Sequence, residues 1–127
     1  MNSRQNTITM SLNRVILIGN VGRDPEVRYV SLDVPVVTIS LATTTGAYTT
    51  KDGVNVPENS EWHTVVLWRN LAKVAETYVH KGDKIYVEGQ LHYVTYSDKA
   101  GVSRTKCEIW AERLEVFNFH NTSGVKN

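Results

Sequence analysis

A side-chain period of two recurs along this chain and gives way to a helical period in one stretch only. In residues 61–68, EWHTVVLW, the side chains of Trp62, Thr64, Val66 and Trp68 fall on one face and His63, Val65 and Leu67 on the other. That is the alternation of a strand with an apolar layer on one side. Residues 36–45, VVTISLATTT, set Val37, Ile39 and Leu41 against Thr38, Ser40 and Ala42. Residues 84–96, KIYVEGQLHYVTY, set Ile85, Val87, Leu91 and Tyr93 against Tyr86, Glu88, Gln90, His92 and Tyr96. In residues 104–114, Cys107, Ile109 and Ala111 oppose Lys106, Glu108, Trp110 and Glu112. Residues 13–21, NRVILIGNV, form an aliphatic run followed by glycine, which reads as a largely buried strand.

The exception is LAKVAETYV, residues 71–79, where Leu71, Val74, Ala75 and Tyr78 repeat at helical spacing. Asn70 is placed to cap this helix and Lys81-Gly82 to end it. Asp24-Pro25 marks a turn, after which Val27 and Tyr29 alternate with charged neighbours as an edge-like continuation of the first strand. Residues 46–60, GAYTTKDGVNVPENS, form a long loop or a protruding hairpin turning at Asp52-Gly53, and residues 97–101 form a further turn. The resulting order, β-β-β-α-β-β, predicts an all-β fold. It is that of a five-stranded OB-fold Greek-key barrel with one short helix between strands 3 and 4. An SH3-like barrel is the nearest alternative, but it normally lacks a helix of this length there.

A chain of 127 residues with 41% hydrophobic and 21% charged side chains is expected to fold as one domain around a core of its own. The expected boundaries are a flexible N-terminal extension over residues 1–11, the barrel over 12–117 and a disordered tail over 118–127. Met10 precedes the first patterned segment, so residues 1–9 read equally as a native extension, a cloning scar or an upstream start. The lone Cys107 fits a reducing compartment. No apolar run reaches bilayer length and residues 1–10 do not resemble a secretory signal, so a soluble, internal protein is expected.

Net charge is only +1, so any phosphate-binding surface must come from the placement of the 14 Lys and Arg residues. His63, His80, His92 and His120 are scattered, and no pair has zinc-site spacing. No nucleophile elbow or glycine-rich phosphate loop is present. The expectation is therefore a binding protein that is not an enzyme and uses no metal or cofactor. Its chemistry-bearing feature is a set of aromatic rings interleaved with cations. Trp62, Trp68, Tyr48 in the long loop and Tyr96 at a hairpin are candidates to stack successive bases, each worth roughly 1–3 kcal/mol. For Trp62 and Trp68 the alternation alone leaves stacking and core packing equally open. Tyr78 and Tyr93 read as core residues, and Trp110 as packing at a subunit contact. Arg14, Arg28, Lys73, Lys81 and Arg104 are candidate phosphate contacts, meaningful as a set.

LNRVILIGNVGRDPEVRY, TISLATTT, EWHTVVLWRNLAKVAETYVHKGDKIYVEGQL and the Tyr96-Ser97-Asp98 hairpin resemble, segment after segment from Leu12 to about Phe117, bacterial and mitochondrial single-stranded DNA-binding proteins. The resemblance implies an OB-fold homotetramer that binds and protects single-stranded DNA without regard to sequence during replication, recombination and repair. It implies a cytoplasmic, nucleoid-associated bacterial setting, with the mitochondrial matrix the lesser alternative. The family's stacking aromatics fall on Trp62, Trp68 and Tyr96. A tryptophan usual after the second strand is replaced by Ala47, with Tyr48 beside it. His63 falls at a place near the family's subunit interface, although an ordinary barrel-facing histidine also fits. Arg28 and Lys81 match basic positions of the family. His92, Val94 and Thr95 replace residues that are often basic, which implies weaker or less salt-sensitive binding. Bacterial members usually end in a flexible linker and an acidic tip that recruits repair and replication proteins. Residues 116–127 contain no acidic side chain, so no such recruitment is expected. Two rivals stand beside this reading: an OB-fold primosomal or protein-interaction adaptor, which retention of Trp62, Trp68 and Tyr96 disfavours, and a nucleic-acid enzyme, for which no catalytic constellation is visible.

Overall fold

The computed structural model describes residues 10–117. The elements in order are β1 (Val15–Val21), β2 (Glu26–Ser31), β3 (Val34–Thr45), β4 (Tyr48–Thr49), β5 (Asn55–Val56), β6 (Asn59–Trp68), α1 (Arg69–Tyr78), β7 (Lys84–Ser97) and β8 (Ser103–Phe117). The main sheet runs β1-β7-β8-β6-β3-β2, and a further pairing of β1 with β3 closes it on itself. β1 accomplishes this by changing partners. Residues Val15 to Asn20 pair with β7, whereas Asn20 and Val21 pair with Ala42 and Leu41 of β3. A short parallel contact, Val65 with Ile109 and Val66 with Trp110, joins β6 to β8, while the other pairings are antiparallel. The result is the OB-fold barrel expected from the element order.

The helix sits between the sixth and seventh strands rather than the third and fourth. Its place in the chain is the expected one; the count changes because β2, β4 and β5 are separate short strands. The loop over residues 46–60 is the protruding hairpin, β4 paired with β5, turning through Gly53. β2 is an exposed edge strand, which agrees with the charged alternation around Val27 and Tyr29.

The barrel fills with the alternating set. Val37, Ile39 and Leu41 of β3, Val65 and Leu67 of β6, and Ile85 and Val87 of β7 are fully buried. α1 covers one end with Ala72 and Ala75, followed by Val79. Two core assignments fail. Tyr78 is 62% exposed, because α1 turns Ala72 and Ala75, and then Val79, to the barrel and leaves Tyr78 on its outer side. Tyr93 is 66% exposed because β1 accompanies β7 only as far as Gly89. Beyond that point β7 and β8 pair with each other as a projecting arm, and Tyr93 and Cys107, which face each other across it, have no third layer above them. The helix cap also differs. β6 runs directly into α1 with Trp68 as the capping residue and no side-chain cap hydrogen bond, so Asn70 lies inside the first turn.

Candidate functional site

The site follows from one register. Across β3 and β6, Ala42 pairs with Trp62, Ser40 with Thr64, Thr38 with Val66 and Val36 with Trp68. β2 continues the row, Glu26 opposite Thr38 and Arg28 opposite Val36. On the other side Val66 pairs with Trp110, and along the β7–β8 arm Trp110 faces Gln90, Glu108 faces His92, Lys106 faces Val94 and Arg104 faces Tyr96. Because side chains alternate, all of these residues share the outer face of the barrel wall, opposite the core. Trp62 is 61% and Trp68 38% exposed, and Tyr96 is exposed as well.

Each aromatic is held by its neighbours. Trp62 lies against Gly22, whose missing side chain makes the contact possible: a Cβ there would come within 2.3 Å of the indole ring. Arg23 and Ser40 complete a shallow hollow around it. Trp68 meets Trp110 edge to face, with ring centroids 5.8 Å apart. Trp110 is stacked on the His92 imidazole at 3.7 Å with the planes 9° from parallel, and its indole N–H donates to Glu108 Oε1 at 3.0 Å. Trp68 and Trp110 form the aromatic wall of an open groove of about 370 Å³, with Val66, Val94, Arg28 and Lys106 also in its lining. The Lys106 ammonium also lies 5.4 Å from the centre of the Tyr96 ring, a cation–π distance. Tyr48 is exposed on the β4–β5 hairpin, beside a separate hollow of about 340 Å³ that Ala47 helps to line.

The cations divide. Arg28 stands in the groove. Arg104 is tied to Asp98 at 2.6 Å, and that carboxylate also accepts from the backbone N–H groups of Ala100 and Val102. Arg104 and these amides hold the Asp98 carboxyl below the usual carboxylate range. Arg14 bonds Glu88 at 2.6 Å on the β1–β7 side. Glu88 also accepts from the Tyr86 hydroxyl and thereby raises the phenol above its ordinary value. Lys73 is exposed on α1, and Lys81 lies in the turn after it, its backbone N–H bonded to Asp24. The Arg14, Lys73 and Lys81 side chains are therefore not among those lining the aromatic groove. His63 is half-buried, its Nε2 2.9 Å from Thr43 Oγ1.

Among the described residues, no group of three or more His, Cys, Asp or Glu side chains is placed to hold a metal ion, and no helix is long and apolar enough to cross a membrane.

The profile of the Single-strand binding protein family matches residues 12–117, the whole of the barrel. The chain belongs to that family. A Single-stranded DNA-binding protein of Bacteroides thetaiotaomicron is 46% identical over 109 residues, covering 86% of this chain and 68% of its own length. The Single-stranded DNA-binding protein 1 of Xylella fastidiosa is 42% identical over 106 residues, 84% of this chain and 77% of the relative. Among solved structures, a Plasmodium falciparum SSB in complex with ssDNA superposes with a TM-score of 0.76 at 26% identity, covering 88% of this chain and all of that one.

Within this single-strand binding fold, sequence reasoning passed over Gly22, Arg23, Lys106 and the position of Trp110. Lys106 and Trp110 were legible as sharing one face in the β8 alternation. Their approach to Trp68 was not, because it depends on the parallel β6–β8 contact, which joins segments far apart in the chain.

Proposed function

We propose that this protein binds and protects single-stranded DNA without regard to sequence and catalyses no reaction. The observation that carries the reading is the common outer face of the barrel, on which Trp62, Trp68 and Tyr96 are exposed beside Arg28 and Lys106. Every base has a π-face, so exposed aromatics take up unpaired bases of any sequence, whereas duplex bases are already stacked. Tyr48 on its hairpin extends the path. Arg104 steers the strand at the arm, and Arg14, Lys73 and Lys81 contribute longer-range attraction to phosphates.

The protein works as a homotetramer with His63 near a subunit contact, in replication, recombination and repair on the bacterial nucleoid. The family membership and the bacterial relatives support this setting.

The deciding experiment follows tryptophan fluorescence while a long oligothymidylate is added at two salt concentrations, beside a duplex control. Quenching by the single strand alone is expected. Trp62→Ala and Trp68→Ala should each weaken binding by roughly 1–3 kcal/mol with unchanged circular dichroism. Absence of both quenching and binding would replace this reading with that of a protein-interaction adaptor.

A further inference from the structure

Trp110 and His92 form an aromatic pair that the stacking set above does not use. Trp110 is fixed from three directions: His92 stacks on one face, Glu108 takes the indole N–H, and Trp68 meets it edge to face. Trp110 lines the groove it shares with Trp68, and His92 is not part of that lining. The imidazole thus backs the indole from outside the groove. In the groove itself two carboxylates, Glu26 and Glu108, balance two cations, Arg28 and Lys106. Lys106 is already engaged with Glu108 at 3.4 Å. A phosphate gains little from such a balanced site, whereas an uncharged aromatic ring gains a preorganised wall of two indoles and the apolar Val66 and Val94.

We propose that this groove is a further nucleobase subsite, with Trp110 a stacking residue beside Trp68 and His92 a positioning residue that keeps the indole in place. The inference rests on the single-stranded DNA reading and adds to it a contact reached only through β8. The strand passes from Trp68 across Trp110 toward Tyr96, its phosphates outside the groove and one base within it. A ring already held in position loses little side-chain freedom when a base stacks on it, so Trp110 contributes as a fully formed platform.

The test uses the full-length protein and an oligothymidylate carrying 5-iodouracil. After irradiation and trypsin digestion, the adduct is expected on the peptide of residues 107–113, CEIWAER, as well as on the peptide of residues 52–69, which contains Trp62 and Trp68. Trp110→Ala should lower affinity about tenfold or more, and Trp110→Phe much less. His92→Ala should reduce the yield of adduct on residues 107–113, and His92→Phe should restore it, a recovery that simple loss of fold stability would not produce. Should Trp110→Ala fail to fold, the adduct map of the unaltered protein decides. Adducts on other peptides but none on residues 107–113, with Trp110→Ala binding unchanged, would overturn the groove site and leave the DNA-binding reading intact. Absence of any binding or adduct would overturn both.

Discussion

Trp62 depends on what its neighbour lacks. Its ring occupies the space where any side chain at position 22 would begin, so Gly22→Ala must push the indole away or shift the backbone hydrogen bond from Gly22 to the Ser40 carbonyl. Surfaces of this kind tolerate most exchanges, and the melting temperature should fall by only a few degrees, in keeping with about 1 kcal/mol of strain. Affinity for oligothymidylate should fall by about as much as in Trp62→Ala, with a shift in tryptophan emission, because both changes remove the same correctly placed ring. Asp98 plays a comparable part for Tyr96 by closing the turn of the arm. Its carboxyl is held below the ordinary range, chiefly by Arg104. A carboxylate of depressed pKa contributes its support fully above the unfolded value, near pH 4, and loses it as pH falls through the folded value. Binding should therefore be insensitive to this group at neutral pH. Loosening of the arm, followed as increased amide exchange around residues 96–104, should appear only below about pH 4 and vanish from the pH profile of Asp98→Asn.

At the scale of elements, the junction of β6 and α1 is tightly constrained. Arg69 has φ 54°, in the left-handed region that disfavours a side chain, and it turns the chain sharply enough for Trp68 to end a strand while the next residue opens a helix. Replacing Arg69 with glycine should remove a cost of about 1 kcal/mol and raise the thermal midpoint by several degrees with Trp68 undisturbed. Nothing in the residue pattern announces this turn. The motif Asn-Leu-Ala looks like a cap followed by a helix, and the strand was expected to stop before it rather than merge into it. The five long strands were legible for the opposite reason: where a wall is buried on one side, side-chain alternation has to follow it, as Val37, Ile39 and Leu41 do. The same rule misplaced Tyr93. Its alternation with Ile85 and Val87 is genuine, but the pattern carries no mark of where the barrel stops and the arm begins. The stacking aromatics illustrate both sides of the matter. Family resemblance nominated Trp62, Trp68 and Tyr96, and alternation put Trp62 and Trp68 on a common face. Which face was the core depended on how the strands close.

At the scale of the molecule, the wall carrying the aromatic rings is not the only described surface that exposes large apolar side chains. On the β1 side, Ile16 is 53% and Ile18 52% exposed, next to the Arg14–Glu88 ion pair. Contiguous exposed aliphatic chains of this kind mark association surfaces. In the proposed tetramer they are covered, and Ile16→Glu with Ile18→Glu should yield a smaller species by light scattering. That species should still quench with short oligothymidylates, since the mutated strand is separate from the aromatic groove.

The parallel contact between β6 and β8 extends over only two residue pairs, one of them Val66 with Trp110. It joins segments separated by the helix and the whole of β7. Contacts of such long sequence separation form late and slowly. Trp68 and Trp110 therefore meet only when β8 has docked on β6. A partly folded chain in which β8 has not docked on β6, however much of its helix and its earlier hairpins it has formed, has no groove in which to hold a base, and so occupancy of that groove reports that this contact has formed.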